Sequence, residues 1–316
     1  MKFRIGKSEL SGLDSKTAMY AALGASLAGA RVLLTTDDAG FVPAASRVTG
    51  GVAVAKPEPA EHFASLDAAF ETSEREDRVV TLERETAMAG SAEQGELPKY
   101  RKQPERFVLP CERETMCAGC PYRGVFYAAS KLWLRTIGDG GCTLLGQKKP
   151  FQTLDAAWGR GTAAAALAGF VAARPEARHD TIAVMGAGDL DEASLRLLAK
   201  TGGTVAAVGD NDVSKLCTDC GAALTELDAY DVNGIEAVLR KALDSEGVSV
   251  IMCRGTCGKS GEKRYRIDQN RCRRCGACSR LGCPAISGRS SEIDPAECVG
   301  CGMCLAVCKC SAVVEA

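Results

Sequence analysis

The spacing of apolar positions changes character several times along this chain. Residues 14–30, DSKTAMYAALGASLAGA, place small apolar side chains at helical intervals, and RVLLTT follows as a short strand. GGVAVA at 50–55 reads as a second strand, closed by PEP. From 107 to 258 helical and strand patterns alternate. PYRGVFYAASKLWLRT and AAWGRGTAAAALAGFVAAR have helical spacing, while TIAVMG, GTVAAVGD and VSVIMC are unbroken apolar runs of buried strands. DEASLRLLAK and GIEAVLRKAL supply helices between them. This alternation predicts an α/β fold with a parallel sheet covered on both faces. The polar stretch at 91–106 carries two prolines and reads as a linker, and from Lys259 onward the chain turns short, basic and cysteine-dense. The expected organisation is an α/β segment at 1–90, a linker at 91–106, an α/β domain at 107–258 and a small domain at 259–316.

Composition alters that picture in one respect. The 316 residues carry a net charge of only −1, which gives no ground for expecting nucleic acid or a membrane surface as a partner. No run approaches the roughly 18 apolar residues of a membrane span, and MKFRIGKSEL lacks a signal peptide's apolar stretch. A cytoplasmic protein is expected. Cysteine is the outlier, with seventeen residues, none before Cys111, against two histidines, His62 and His179. In a reducing cytosol clustered thiols bind metal or do redox chemistry. So few histidines argue against mixed zinc sites and against histidine acid–base catalysis.

The tail reads YRIDQNRCRRCGACSRLGCPAI and then IDPAECVGCGMCLAVCKCSAV. Each half has C-x2-C-x2-C followed by one more Cys. Two-residue gaps wrap three thiolates around one face of an iron site, and in paired motifs the fourth ligand comes from the other half. That logic assigns Cys272, Cys275, Cys278 and Cys308 to one [4Fe–4S] cluster, and Cys298, Cys301, Cys304 and Cys283 to a second. Paired zinc knobs are the competing reading, but zinc sites rarely use this reciprocal spacing. The tail resembles a bacterial two-cluster ferredoxin domain over 265–314. Lys309 stands where that motif has Pro, and the extra Cys310 leaves Cys308 or Cys310 as ligand.

Three further cysteine elements lie in the α/β domain: CAGCPYR at 117–123, GDGGC ending at Cys142, and CRGTC at 253–257. They fall at a helix start, a glycine turn and a strand end, positions that a parallel sheet can bring to one edge. MCAGCPYRGVFYA, GDGGCTLLG and TIAVMG together resemble the thiamine-diphosphate half of the 2-oxoacid:ferredoxin oxidoreductase family, and most closely its indolepyruvate α-subunit branch. SKTAMYAALGASLAGARVLLTTDDAGFVPAA resembles part of that family's pyrimidine-binding domain, with a much shorter front half, and residues 60–105 match little. The resemblance implies a third cluster held by Cys117, Cys120, Cys142 and Cys257, with Cys253 competing for the last place. It also implies thiamine diphosphate with Mg²⁺, decarboxylation of a 2-oxo acid, and a ferredoxin or similar acidic carrier and a second oxidoreductase subunit as partners.

The family's Mg²⁺-diphosphate motif is G-D-G or G-D-S followed later by Asn, because Mg²⁺ requires oxygen ligands. Here Gly186, Gly188, Asp189 and Asn211 are the candidate cofactor residues, but Ala187 occupies the place of the metal-binding Asp. Ser15 stands where the family has its pyrimidine Glu, and Tyr122 replaces a histidine. GAGDLD lacks the third glycine of a dinucleotide fingerprint, and Asp189 or Asp191 also suits a plain helix cap. An iron–sulfur carrier on the same fold without thiamine is therefore the alternative. Cys217 and Cys220 form another C-x2-C that binds metal, pairs or packs as a turn. Arg254, Lys259, Lys263, Arg264, Arg266, Arg271, Arg273 and Arg274 form a basic run suited either to solvent or to an acidic partner.

Overall fold

The computed structural model describes residues 1–6, 8–90, 96–258, 261–287 and 292–316. The front unit comprises β1 (Lys2–Ile5), β2 (Ser8–Leu10), α1 (Ser15–Leu27), β3 (Val32–Thr35), β4 (Val52–Lys56), α2 (Leu66–Glu76), β5 (Val80–Glu83) and α3 (Arg84–Ala89). Its sheet runs β2-β1-β3-β4-β5, with β1 antiparallel to both neighbours and β3, β4 and β5 parallel. Alternation decides its two faces: Val32 and Leu34 join α1 in one core, and Leu33 joins Phe70 and Leu66 of α2 in another.

The middle unit comprises α4 (Pro104–Phe107), α5 (Tyr122–Lys131), β6 (Arg135–Gly138), β7 (Leu154–Ala157), α6 (Ala163–Ala173), β8 (Thr181–Gly186) and α7 (Glu192–Thr201). It continues with β9 (Gly203–Gly209), α8 (Ser214–Cys220), β10 (Ala223–Asp228), α9 (Val232–Leu243) and β11 (Val248–Arg254). The six strands are all parallel in the order β10-β11-β9-β8-β6-β7. One face carries α6 and α7, the other α5 and α9. The strand order turns outward between β6 and β8, the place where open α/β sheets form a crevice at their carboxyl ends.

The tail adds β12 (Tyr265–Ile267), β13 (Ile286–Ser287), β14 (Glu292–Ile293), α10 (Met303–Val307) and β15 (Val313–Glu315). β12 pairs with β15 and β13 with β14, both antiparallel. Ile267, Leu281, Ile293 and Met303 share one buried cluster with Phe126 of α5 and Ile235 of α9, so the tail docks on that face of the middle sheet. On the opposite face α1 crosses α6 at close range. A Cβ on Gly24 would lie 1.9 Å from the Ala166 carbonyl oxygen, and one on Gly169 would lie 1.8 Å from that of Ala21.

Several sequence expectations change. The helix read over 121–136 stops at Lys131, and its last residues enter β6. The helix read over 156–174 begins at Ala163, because Ala156 and Ala157 end β7 and the glycines at 159 and 161 take positive φ. The segment after Asn211 folds as α8 and edge strand β10. In the expected linker, residues 91–95 lie outside the described residues. Its second half is docked on the middle unit: Tyr100 donates to Asp155 Oδ2 at 2.8 Å and packs edge-on against Phe170.

Candidate iron–sulfur and cofactor sites

The tail forms two cavities, each lined by one of the cysteine quartets. One is lined by Cys283, Cys298, Cys301 and Cys304 together with Gly119, Arg123 and Ile293. The other is lined by Cys272, Cys275, Cys278 and Cys308, with Cys310 beside them. The Cys308 and Cys310 sulfurs stand 3.8 Å apart, and Cys308 accepts the Ala312 amide at 3.3 Å. Burial, then the neighbouring thiols of Cys301, Cys298 and Cys283, push the Cys304 thiol up to about 12. Crowded thiols of this kind become thiolates when a cationic centre joins them. Among the described residues no three His, Cys, Asp or Glu side chains converge tightly enough for a single metal ion. A four-iron cubane holds its thiolates further apart than one ion does, and thiol-lined hollows suit it. The donor sets fit two [4Fe–4S] clusters.

At the carboxyl edge of the middle sheet, the loop after β11 and the turn before α5 meet. The Tyr230 hydroxyl, just ahead of α9, lies 3.1 Å from the Gly119 carbonyl oxygen and 2.9 Å from that of Thr256, joining the CAGC and CRGTC segments. Arg113 reaches the sulfurs of Cys117 at 2.8 Å and Cys142 at 3.6 Å. Burial pushes the Cys120 thiol up to about 11, with the thiols of Cys142 and Cys257 adding to the effect. Cys117, Cys120, Cys142 and Cys257 are thus brought together. Cys253 is apart from them, fully enclosed within β11, and burial alone pushes it up to about 12. Cys117 and Cys257 are exposed, so this group lies at the molecular surface. Cys111 is half-buried, its sulfur 3.7 Å from the Arg113 carbonyl oxygen. Cys217 and Cys220 are buried, unpaired by any disulfide, and both lie on α8 in the core of the opposite face.

The turn after β8 tells a different story. Gly188 faces the Asn211 side chain, since a Cβ there would lie 3.1 Å from Asn211 Oδ1, and Gly209 faces both Ala187 and Asn211. The cofactor-turn residues therefore converge, but where a metal-binding carboxylate is required the turn offers the Ala187 methyl group. Asp189 does not take its place. Its carboxylate lies over Gly186 and pairs with Arg160, with Nη2 3.0 Å from Oδ1 and Nε 3.2 Å from Oδ2. Asp191 caps α7, accepting the Ser194 amide at 2.8 Å, and meets Lys16 of α1 at 3.4 Å. At the start of α1, Asp14 caps the helix by accepting the Thr17 amide at 2.9 Å, and Ser15 is its first residue. Two cations, Lys16 and Arg160, occupy the neighbourhood where Mg²⁺ would need oxygens. The residues present do not fit a Mg²⁺-diphosphate.

Residues given no role in the sequence reading also shape the site. Arg123, Arg113 and Tyr230 each hold or face the cysteine loops. Arg123 carried a legible signal, a lone cation inside the apolar run YRGVFYAA.

No protein-family profile matches the chain. Comparison with curated proteins finds the indolepyruvate oxidoreductase subunit IorA of Pyrococcus horikoshii, 25% identical over 269 residues and covering 66% of this chain. The same subunit of Methanothermobacter marburgensis is 25% identical and covers 69% of the chain. The chain is therefore similar to IorA over about two thirds of its own length. The match extends over 41% of the Pyrococcus subunit and 42% of the Methanothermobacter one, so the chain spans about two fifths of the length of these IorA relatives. Among solved structures, benzoylformate decarboxylase from Polynucleobacter necessarius aligns with 72% of the chain and 50% of its own, at 11% identity and a TM-score of 0.37. No helix among the described residues is long and apolar enough to cross a membrane.

Proposed function

We propose that this protein is an iron–sulfur subunit of a 2-oxoacid:ferredoxin oxidoreductase-type system, conducting electrons from 2-oxo acid oxidation toward a ferredoxin-like carrier. The observation that carries this reading is the pair of tail cavities, one lined by four cysteines and the other by five, each set drawn from both halves of the tail. When bound, the clusters supply one-electron transfer at potentials set by charge, hydrogen bonding and burial. The chain's own part is to hold sulfur ligands rigidly and to exclude water around them. Cys283, Cys298, Cys301 and Cys304 would hold the inner cluster, and Cys272, Cys275, Cys278 and Cys308 the outer one. Cys117, Cys120, Cys142 and Cys257 would hold a third, at the rim where a donor subunit has access.

The geometry of the Gly186–Asp189 turn favours a thiamine-free form of this function, in which decarboxylation takes place on a partner. Ala187 offers no oxygen, and Asp189 is engaged by Arg160. Purification without oxygen, followed by assay of iron, sulfide and thiamine diphosphate, tests both statements. About twelve irons per chain are expected for three four-iron clusters. A content of about eight would remove the rim cluster, and no iron after reconstitution would remove the proposal. Thiamine diphosphate retained near one per chain would restore decarboxylation to this protein.

A further inference from the structure

Among the described residues, Arg123 is the largest wholly enclosed side chain, with 0% of its surface exposed. It leaves the first turn of α5 three residues after Cys120. Its Nη1 donates to the Leu281 carbonyl at 2.5 Å, and its Nη2 to those of Met116 at 2.9 Å and Cys117 at 2.6 Å. Its buried Nε has no hydrogen-bond partner. The side chain lines the cavity of Cys283, Cys298, Cys301 and Cys304, while its carbonyl partners belong to the CAGC segment and to the tail turn just before Cys283. It therefore stands between the rim cysteines and the inner quartet.

None of these hydrogen-bond partners is a carboxylate. A guanidinium keeps its proton in proteins, and a buried charge without a counter-charge costs several kcal/mol. Carbonyl dipoles offset only part of that cost. The sulfur groups nearest in effect are those of Cys283, Cys120, Cys301 and Cys117: burial lowers the Arg123 pKa, and these four thiols oppose the change. Thiolate-held clusters carry net negative charge, and one unit more when reduced. A fixed cation between two of them compensates its own burial and favours the reduced form of both.

Building on the cluster reading above, we propose that Arg123 is a shared electrostatic positioning residue. Its buried charge raises the reduction potentials of the rim cluster and of the inner cluster together, leaving the outer cluster untouched. The outer quartet's cavity, lined by tail residues alone, does not include Arg123. Arg123 thus makes the rim and inner sites a matched pair for one-electron exchange, and the outer site the exit.

The test uses the full chain, purified without oxygen and titrated with dithionite while electron paramagnetic resonance follows each reduction. Arg123→Gln keeps amide donors for the carbonyls but removes the charge, and Arg123→Lys keeps the charge. The expected result is that R123Q retains its iron and lowers two of three potentials. Each falls by at least a tenfold change in the reduction equilibrium, which is about 59 mV for one electron. R123K should stay within about threefold of the wild type, and the third potential should not move. Loss of iron in R123Q alone, with R123K loaded, also supports the role of charge. Unchanged potentials in R123Q, equal shifts in both variants, or loss of iron in both would reduce Arg123 to a structural staple and overturn the proposal. A wild-type chain that binds no iron would instead overturn the cluster reading on which it rests.

Discussion

Asp139 follows β6 directly and is almost wholly buried, yet it serves three backbone donors at once. Its carboxylate accepts the amides of Gly161 at 3.0 Å, Thr162 at 3.0 Å and Ala163 at 2.9 Å, the last two through the same oxygen. Burial pushes its carboxyl up to about 6, although the three amides favour the ionised form. Thr143 donates to the Asp139 carbonyl, so the residue also anchors the turn that carries Cys142. Asp139→Ala should cost about 3 kcal/mol in denaturant unfolding, because it strands buried amide donors. Asp139→Asn should cost less, since it keeps an acceptor oxygen. Iron loss from the Ala variant should begin with the rim site. If the rim iron survives intact while stability falls, Asp139 supports α6 alone.

At the scale of elements, the crossing of α1 and α6 is the joint between the front and middle units. Backbone stands where a methyl group would go at both Gly24 and Gly169. Side-chain movement cannot relieve such a clash, and the helices would have to separate. Gly24→Ala or Gly169→Ala should therefore destabilise the protein by about 3 kcal/mol. Circular dichroism melting checks the loss, and limited proteolysis should show cleavage between the units. The same elements show what was legible from sequence. β8, β9 and β11 are central strands buried on both faces, so their apolar runs stood out. β7 is the alanine-bearing LDAA, which continued the helical spacing of α6, and β6 abuts α5 with only three residues between. β10 is an edge strand whose side chains are largely exposed, leaving no apolar run to read. The cysteine quartets of the tail were legible because their spacing is local. Arg123 was quoted with its motif but given no role, because burial between two units follows from tertiary packing.

For the molecule as a whole, the structure narrows the basic surface near the tail. Arg254 pairs with Glu226, Lys263 with Glu315 and Arg271 with Asp268, while Arg264 Nη1 donates to the Gly261 carbonyl. Lys259 lies outside the described residues. Among the described residues Arg266, Arg273 and Arg274 enter no ion pair, and the last two flank the outer quartet between Cys272 and Cys275. Electron transfer to an acidic ferredoxin should fall steeply as salt rises, because exposed charges are screened beyond about 8 Å at physiological ionic strength. Reversing Arg273 and Arg274 to Glu should slow it on the order of tenfold at low salt. Stopped-flow kinetics across a salt series checks both, and a flat profile would exclude electrostatic steering at this face.

The six-stranded sheet has one last consequence. It acts as a bulkhead: the thiols with a proposed redox role lie on its α5 and α9 side or along its carboxyl rim, while the front unit is moored to the other side through α1 and α6. On the far side, Cys217 is buried in the core, and Cys220 borders a pocket lined by Glu192 and Arg196. A companion subunit gripping the front unit would leave the electrical side unobstructed. Mooring and wiring can then change independently of each other.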